Sequence, residues 1–205
     1  MDLPIANSYY ISESQAPYGY VRNSSDVYSF NFNYLPETTA KATFSHEFAN
    51  DRTTAKIHIF KVDKETGLPV PQGDATLEEA VYGLYARDDI MHPDGATGVV
   101  FKANDLVATM TTDANGDAEV NNLYLGNYYV KEITPPEGYL LDEEEHDVVC
   151  DYEGDLVAEV SRSTTSKEQV MKQPFQLIKV SDNGDDTEAP LLEKAGFTAY
   201  LKRAR

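Results

Sequence analysis

The sequence predicts an all-β chain built as a window on an array of like domains. Three observations carry this. A long phrase repeats at a fixed period, a second phrase repeats in phase with it, and short alternating runs are separated by turn signals. The repeated phrase is Tyr-Tyr-x-x-Glu-x-x-x-Pro-x-Gly-Tyr, first at Tyr9–Tyr20 and again at Tyr128–Tyr139. A second phrase fixes the phase: His58-Ile59-Phe60-Lys61-Val62 is matched by Gln176-Leu177-Ile178-Lys179-Val180. Both pairs recur at roughly 120 residues, a normal size for one domain. Residues 1–54 therefore read as the C-terminal part of one repeat, 55–174 as one complete repeat, and 175–205 as the opening of a third.

The strands follow from alternation. Lys56 to Val62, Asp105 to Thr111 and Asn122 to Ile133 alternate with period two, and Val81 to Tyr85 reads as a further strand. Turn signals stand between them at Glu65-Thr66-Gly67, Pro93-Asp94-Gly95, Asp113-Ala114-Asn115-Gly116 and Pro136-Glu137-Gly138. Thr76 to Ala80 reads as a short helical turn, with Pro190 to Ala195 its counterpart ahead of a strand at Phe197–Leu201. Short strands at this spacing predict a sandwich or barrel.

Composition narrows the function classes. The formal net charge is −18, which argues against nucleic acid or an anionic membrane as partner, since both require a basic footprint. The single cysteine, Cys150, excludes a disulfide within one copy and reads as a small buried strand residue. No stretch has the length of a membrane span. His46, His58, His92 and His146 show no metal-ligand spacing, and no phosphate loop, Ser-His-Asp or Cys-His pattern is present, so neither metal nor cofactor is expected. The runs Asp113–Asp117 and Asp182–Asp186 resemble partial calcium loops but lack the ligand ladder, so hairpin turns explain them better. Glu143-Glu144-Glu145-His146 reads as a solvated acidic loop. Leu35-Pro36-Glu37-Thr38-Thr39 resembles a sorting signal but has Thr where Gly is expected, and reads as an extended turn.

Strand phase singles out four ionisable groups. Residues at i, i+2 and i+4 share a face, so Ile57, Ile59 and Lys61 point together, as do Phe175, Leu177 and Lys179. Tyr128, Val130 and Glu132 form such a row, as do Tyr9, Ile11 and Glu13. Burial would disfavour both the charged amine and the charged carboxyl. A neutral amine is a nucleophile and a neutral carboxyl a proton donor. With a side-chain amide or carboxyl alongside, an amide bond could form with loss of ammonia or water. A buried Lys–Glu ion pair, or strand-edge charges that turn to solvent, fits the same phase.

The middle segment resembles the B-type repeat of collagen-binding adhesins, also known as the SpaA-like or prealbumin-like pilin domain of Gram-positive surface proteins. The matching residues are Phe60-Lys61-Val62-Asp63-Lys64-Glu65-Thr66-Gly67, Ala80–Tyr85, Ala108–Gly116, Leu125–Glu132 and Pro136–Tyr139. The resemblance implies an immunoglobulin-like β-sandwich acting as a stalk or adhesin module, outside the cell and anchored through other parts of its parent. It also implies a self-formed isopeptide bond. By resemblance the crosslink lysine falls on Lys61 and Lys179, and the assisting glutamate on Glu132 and Glu13. The acceptor falls on Asn50 in the first, partial repeat. In the complete repeat the acceptor position is occupied by Glu168 or Gln169, neither of them the family's usual Asn or Asp. Partners would be neighbouring repeats. A competing class is a module that binds a host matrix protein or glycan through Tyr18, Tyr20, Tyr28 and Tyr34. No constellation supports an enzyme acting on an external substrate.

Overall fold

The computed structural model describes residues 8–31, 45–179 and 194–200. The chain divides into two units, Met1–Met171 and Lys172–Arg205. The first holds every described strand: β1 (Tyr9–Ser12), β2 (Val27–Phe30), β3 (Thr54–Asp63), β4 (Val81–Ala86), β5 (Ile90–Met91), β6 (Val99–Phe101), β7 (Leu106–Thr111), β8 (Asp117–Leu123), β9 (Gly126–Thr134), β10 (Glu145–Cys150) and β11 (Glu159–Glu168).

Two sheets form the sandwich. One runs β10-β9-β4-β7 and the other β11-β3-β8. All pairings are antiparallel except β11 with β3, which is parallel and sets Ser166 beside Lys61 and Glu168 beside Asp63. The expected alternation is borne out in β3, where Ala55, Ile57, Ile59 and Lys61 are fully buried. The inner face of the other sheet supplies Tyr82, Leu84, Tyr128, Val130 and Val148, which close the core against them. Cys150 is buried at the end of β10, as its strand context predicts, and burial pushes its thiol up to about 11.

The turn signals are turns in the structure. Asp63 Oδ1 accepts from the amides of Glu65 and Thr66. Asp113 Oδ1 accepts from those of Asn115 and Asp117, so this run is a tight turn, one that carries the chain from β7 in one sheet to β8 in the other. Three expectations need correction. Asn122 to Ile133 is two strands, because Asn122 and Gly126 adopt positive φ (57° and 156°) and the chain crosses from one sheet to the other at Tyr124-Leu125. Thr76 to Ala80 is a non-helical turn in which Glu79 has φ 67°. The acidic run is only half loop, since Glu145 and His146 belong to β10 and Glu145 binds Arg87.

The segment before β3 packs on the sandwich within the same unit. Tyr20 bridges Arg52, Thr53 N donates to Gly19 O, and Arg22 N donates to Asp155 O. β1 pairs only with β2, so the row Tyr9, Ile11, Glu13 is not buried, contrary to its sequence phase.

Among the described residues of the second unit there is no strand. Residues 175–179 and 195–200 are irregular and exposed, including Phe175, Leu177 and Lys179. These residues have the composition of a strand but no ladder partner among the described residues, and alternation alone does not make a strand. Tyr34, the Leu35–Thr39 phrase and Asp182–Asp186 lie outside the described residues.

Candidate functional site: a buried lysine between two glutamates

Lys61 enters the core from β3 and is wholly buried. Its stem continues the row of Ile57 and Ile59, so the ammonium position lies between the sheets. Across from it, Tyr82 on β4 and Glu132 on β9 are direct cross-strand partners and project from the same face. Glu168 arrives from β11, on the same face as Ser166. All of these side chains are buried.

The contacts converge on Lys61 Nζ. It lies 3.0 Å from Glu132 Oε1, 3.3 Å from Tyr82 Oη, and in direct contact with Glu168 Oε1. Tyr82 Oη donates to Glu168 Oε1 at 2.6 Å, and Ser166 Oγ sits 3.2 Å from the same oxygen. The other oxygen, Glu168 Oε2, is buried with no hydrogen-bond partner. Glu132 is oriented by the backbone: Asp142 N donates to its Oε2 at 2.8 Å. Asp142 is in turn held by Ser166 Oγ and His146. The site is capped at the end of β3, where Tyr139 donates to the buried Asp63 carboxylate and its ring lies 5.8 Å from Lys61 Nζ.

Burial acts against the ammonium form of Lys61. Burial lowers the Lys61 pKa, and the bond to Glu132 opposes this without reversing it. Tyr82 shifts the other way: burial raises its pKa well above the ordinary phenol range, so it remains a donor. The arrangement can therefore present an amine to a carboxyl carbon, with a second carboxyl in reach of the amine's protons.

The sequence-derived residues separate into four groups. Lys61, Glu132 and Glu168 are brought together. Gln169, the first residue past β11, points elsewhere, its amide donating to Glu65 Oε1 at 2.6 Å. Glu13 and Asn50 also meet, with Asn50 Nδ2 donating to Glu13 Oε2 at 2.6 Å and to Val21 O at 2.8 Å. No lysine joins that pair among the described residues, and Lys179 is exposed in the second unit. Tyr82, Ser166 and Asp142 were not among the sequence candidates. Tyr82 shares its strand face with Leu84, and that phase was the available signal. Nothing in the sequence showed that Ser166 would lie beside Lys61.

Of the tyrosines considered for matrix or glycan binding, Tyr18 is exposed and packs on Tyr152. Tyr28 stacks on Phe30 and His46.

Comparison with known proteins places this geometry in a family. Residues 55–165 match the family model described as SpaA, prealbumin-like fold domain. No curated protein matches the chain. Among solved structures, the Bacillus anthracis TIE protein is 25% identical with a TM-score of 0.55, over 82% of this chain and 26% of its own. The group B streptococcus pilus 2b backbone protein is 21% identical with a TM-score of 0.40, over 60% of this chain and 43% of its own. The minor pilin GBS52 of Streptococcus agalactiae is 21% identical with a TM-score of 0.39, over 61% and 48%. The chain thus spans less than half the length of each of these proteins. No helix among the described residues is long and apolar enough to cross a membrane.

Proposed function

The chain belongs to the SpaA prealbumin-like fold domain family, and on that premise we propose that it is a load-bearing stalk segment of a cell-surface pilin or adhesin, locked by a self-formed amide between Lys61 and Glu168. The observation that carries this reading is the burial of Lys61, Glu132 and Glu168 in mutual contact inside an otherwise apolar sandwich. Such a cluster is costly as a mere ion pair. Condensation removes the cost by turning two ionisable groups into one neutral amide.

The step balances simply. The neutral Lys61 amine attacks Cδ of the protonated Glu168 carboxyl. Glu132 takes a proton from the attacking nitrogen and returns it to the departing oxygen. An amide forms, one water leaves, and Glu132 is restored. Preorganisation by the fold replaces collision, and the reaction occurs once per chain, so this is not an enzyme acting on an external substrate.

The position of the bond supports a mechanical role. β3 and β11 are the first and last strands of the sandwich and lie side by side in parallel. A load entering at Thr54 runs along β3 to Lys61, crosses the amide to Glu168 and leaves at the end of β11. Everything between is shielded. By the same reading Glu13 and Asn50 are the assisting group and acceptor of a preceding repeat, and Lys179 the lysine of a following one. Neighbouring repeats are then the partners, and the location is the outer surface of a Gram-positive cell.

Single-molecule pulling from the two chain ends tests the role. The wild-type chain is expected to give no extension from residues 62–167. Lys61→Met should add an event of roughly 350 Å, from about a hundred residues released at 3.3–3.6 Å each. Equal extension in both chains would refute the shielding.

A further inference from the structure

Glu168 has two chemically different oxygens in this site. Oε1 is gripped by Tyr82 Oη at 2.6 Å, approached by Ser166 Oγ at 3.2 Å and touched by Lys61 Nζ. Oε2 is buried and has no partner. Buried polar atoms without partners are rare and call for an explanation. A condensation supplies one, since it removes one carboxyl oxygen and retains the other.

We propose that Tyr82 is a catalytic residue of the Lys61–Glu168 condensation, its hydroxyl acting as the oxyanion donor to Oε1 while the unpartnered Oε2 leaves as water. This rests on the crosslink reading above. As Lys61 nitrogen bonds to Cδ, the C–O π electrons move onto Oε1. That oxygen already receives a short hydrogen bond from a fixed donor in a fully buried site, where such a bond is worth most. When the C–Oε2 bond breaks, Oε1 becomes the amide oxygen and Tyr82 remains bonded to it. No proton is lost from Tyr82, consistent with the burial that keeps its phenol protonated.

A second observation separates the hydroxyl from the ring. The third phrase, Ala195-Gly196-Phe197-Thr198-Ala199-Tyr200, aligns by its Ala and Tyr with Ala80-Val81-Tyr82-Gly83-Leu84-Tyr85. It carries Phe197 where the complete repeat carries Tyr82. The ring recurs in both phrases, and the hydroxyl is particular to the complete repeat.

The test follows water loss in time. The full chain is made by cell-free synthesis, quenched in acid denaturant at intervals and weighed intact. Tyr82→Phe is expected to lose water at least about a hundredfold more slowly than wild type. Melting of Tyr82→Phe/Lys61→Met beside Lys61→Met alone checks the fold without the bond, and the two should coincide. Water loss by Tyr82→Phe at the wild-type pace would overturn the role while leaving the crosslink intact. Slowing accompanied by a collapse of the double variant's melting would also overturn it, by assigning the delay to folding. A wild-type chain that never loses water would overturn the crosslink itself, and this role with it.

Discussion

Lys61→Met is expected to lower the melting temperature of the chain by about 10–20 °C and to open it to proteolysis. The crosslink closes a loop of roughly a hundred residues, which the chain-entropy account of covalent loops values at about 4–5 kcal/mol. In a chain of this size each kcal/mol is worth about 2–4 °C. Methionine keeps an unbranched apolar side chain at this fully buried position, so packing changes little. It removes the cationic group that faces Glu132 and Glu168, so the two buried carboxyls lose their shared partner. Differential scanning calorimetry and timed digestion with a broad-specificity protease check both effects. An unchanged melting temperature would mean that the sandwich is held by packing alone.

Glu132→Gln should leave the fold in place and stop the chemistry. Glutamine has the shape of glutamate, and its oxygen can still accept from the Asp142 amide now bonded to Oε2. It cannot carry a proton from the Lys61 nitrogen to the departing oxygen. Loss of a positioned acid–base group costs about 10²–10⁴ in rate, so freshly made Glu132→Gln should persist at full mass while wild type converts. Its circular dichroism should match that of Lys61→Met. Conversion of Glu132→Gln at the wild-type rate would remove Glu132 from the mechanism.

How much of this was legible in the sequence depends on distance along the chain. Lys61 and Glu132 were found because each ends an apolar row on its own strand, and strand phase is a local property. The sandwich was legible for the same reason. The acceptor was not. Choosing between Glu168 and Gln169 requires the register of β11, and that register is set by parallel pairing with a strand a hundred residues away. Tyr82 and Ser166 were missed because their role depends on what the opposite sheet and neighbouring strand present, which no single run encodes. Local phase also misled twice. Tyr9, Ile11 and Glu13 alternate as a core strand does, yet β1 finds only β2 and stays half open. Phe175, Leu177 and Lys179 carry the same pattern and form no strand. In both segments the pattern is right for a core, and the opposing sheet needed to bury it is absent among the described residues.

The central claim is that Lys61 and Glu168 become one amide. The most direct measurement is the intact mass of the purified wild-type chain under denaturing conditions, beside Lys61→Met and Glu168→Ala. The account predicts a wild-type mass one water below the sequence value and both variants at full mass. A wild-type chain at full mass, or one lighter by ammonia in place of water, would contradict it.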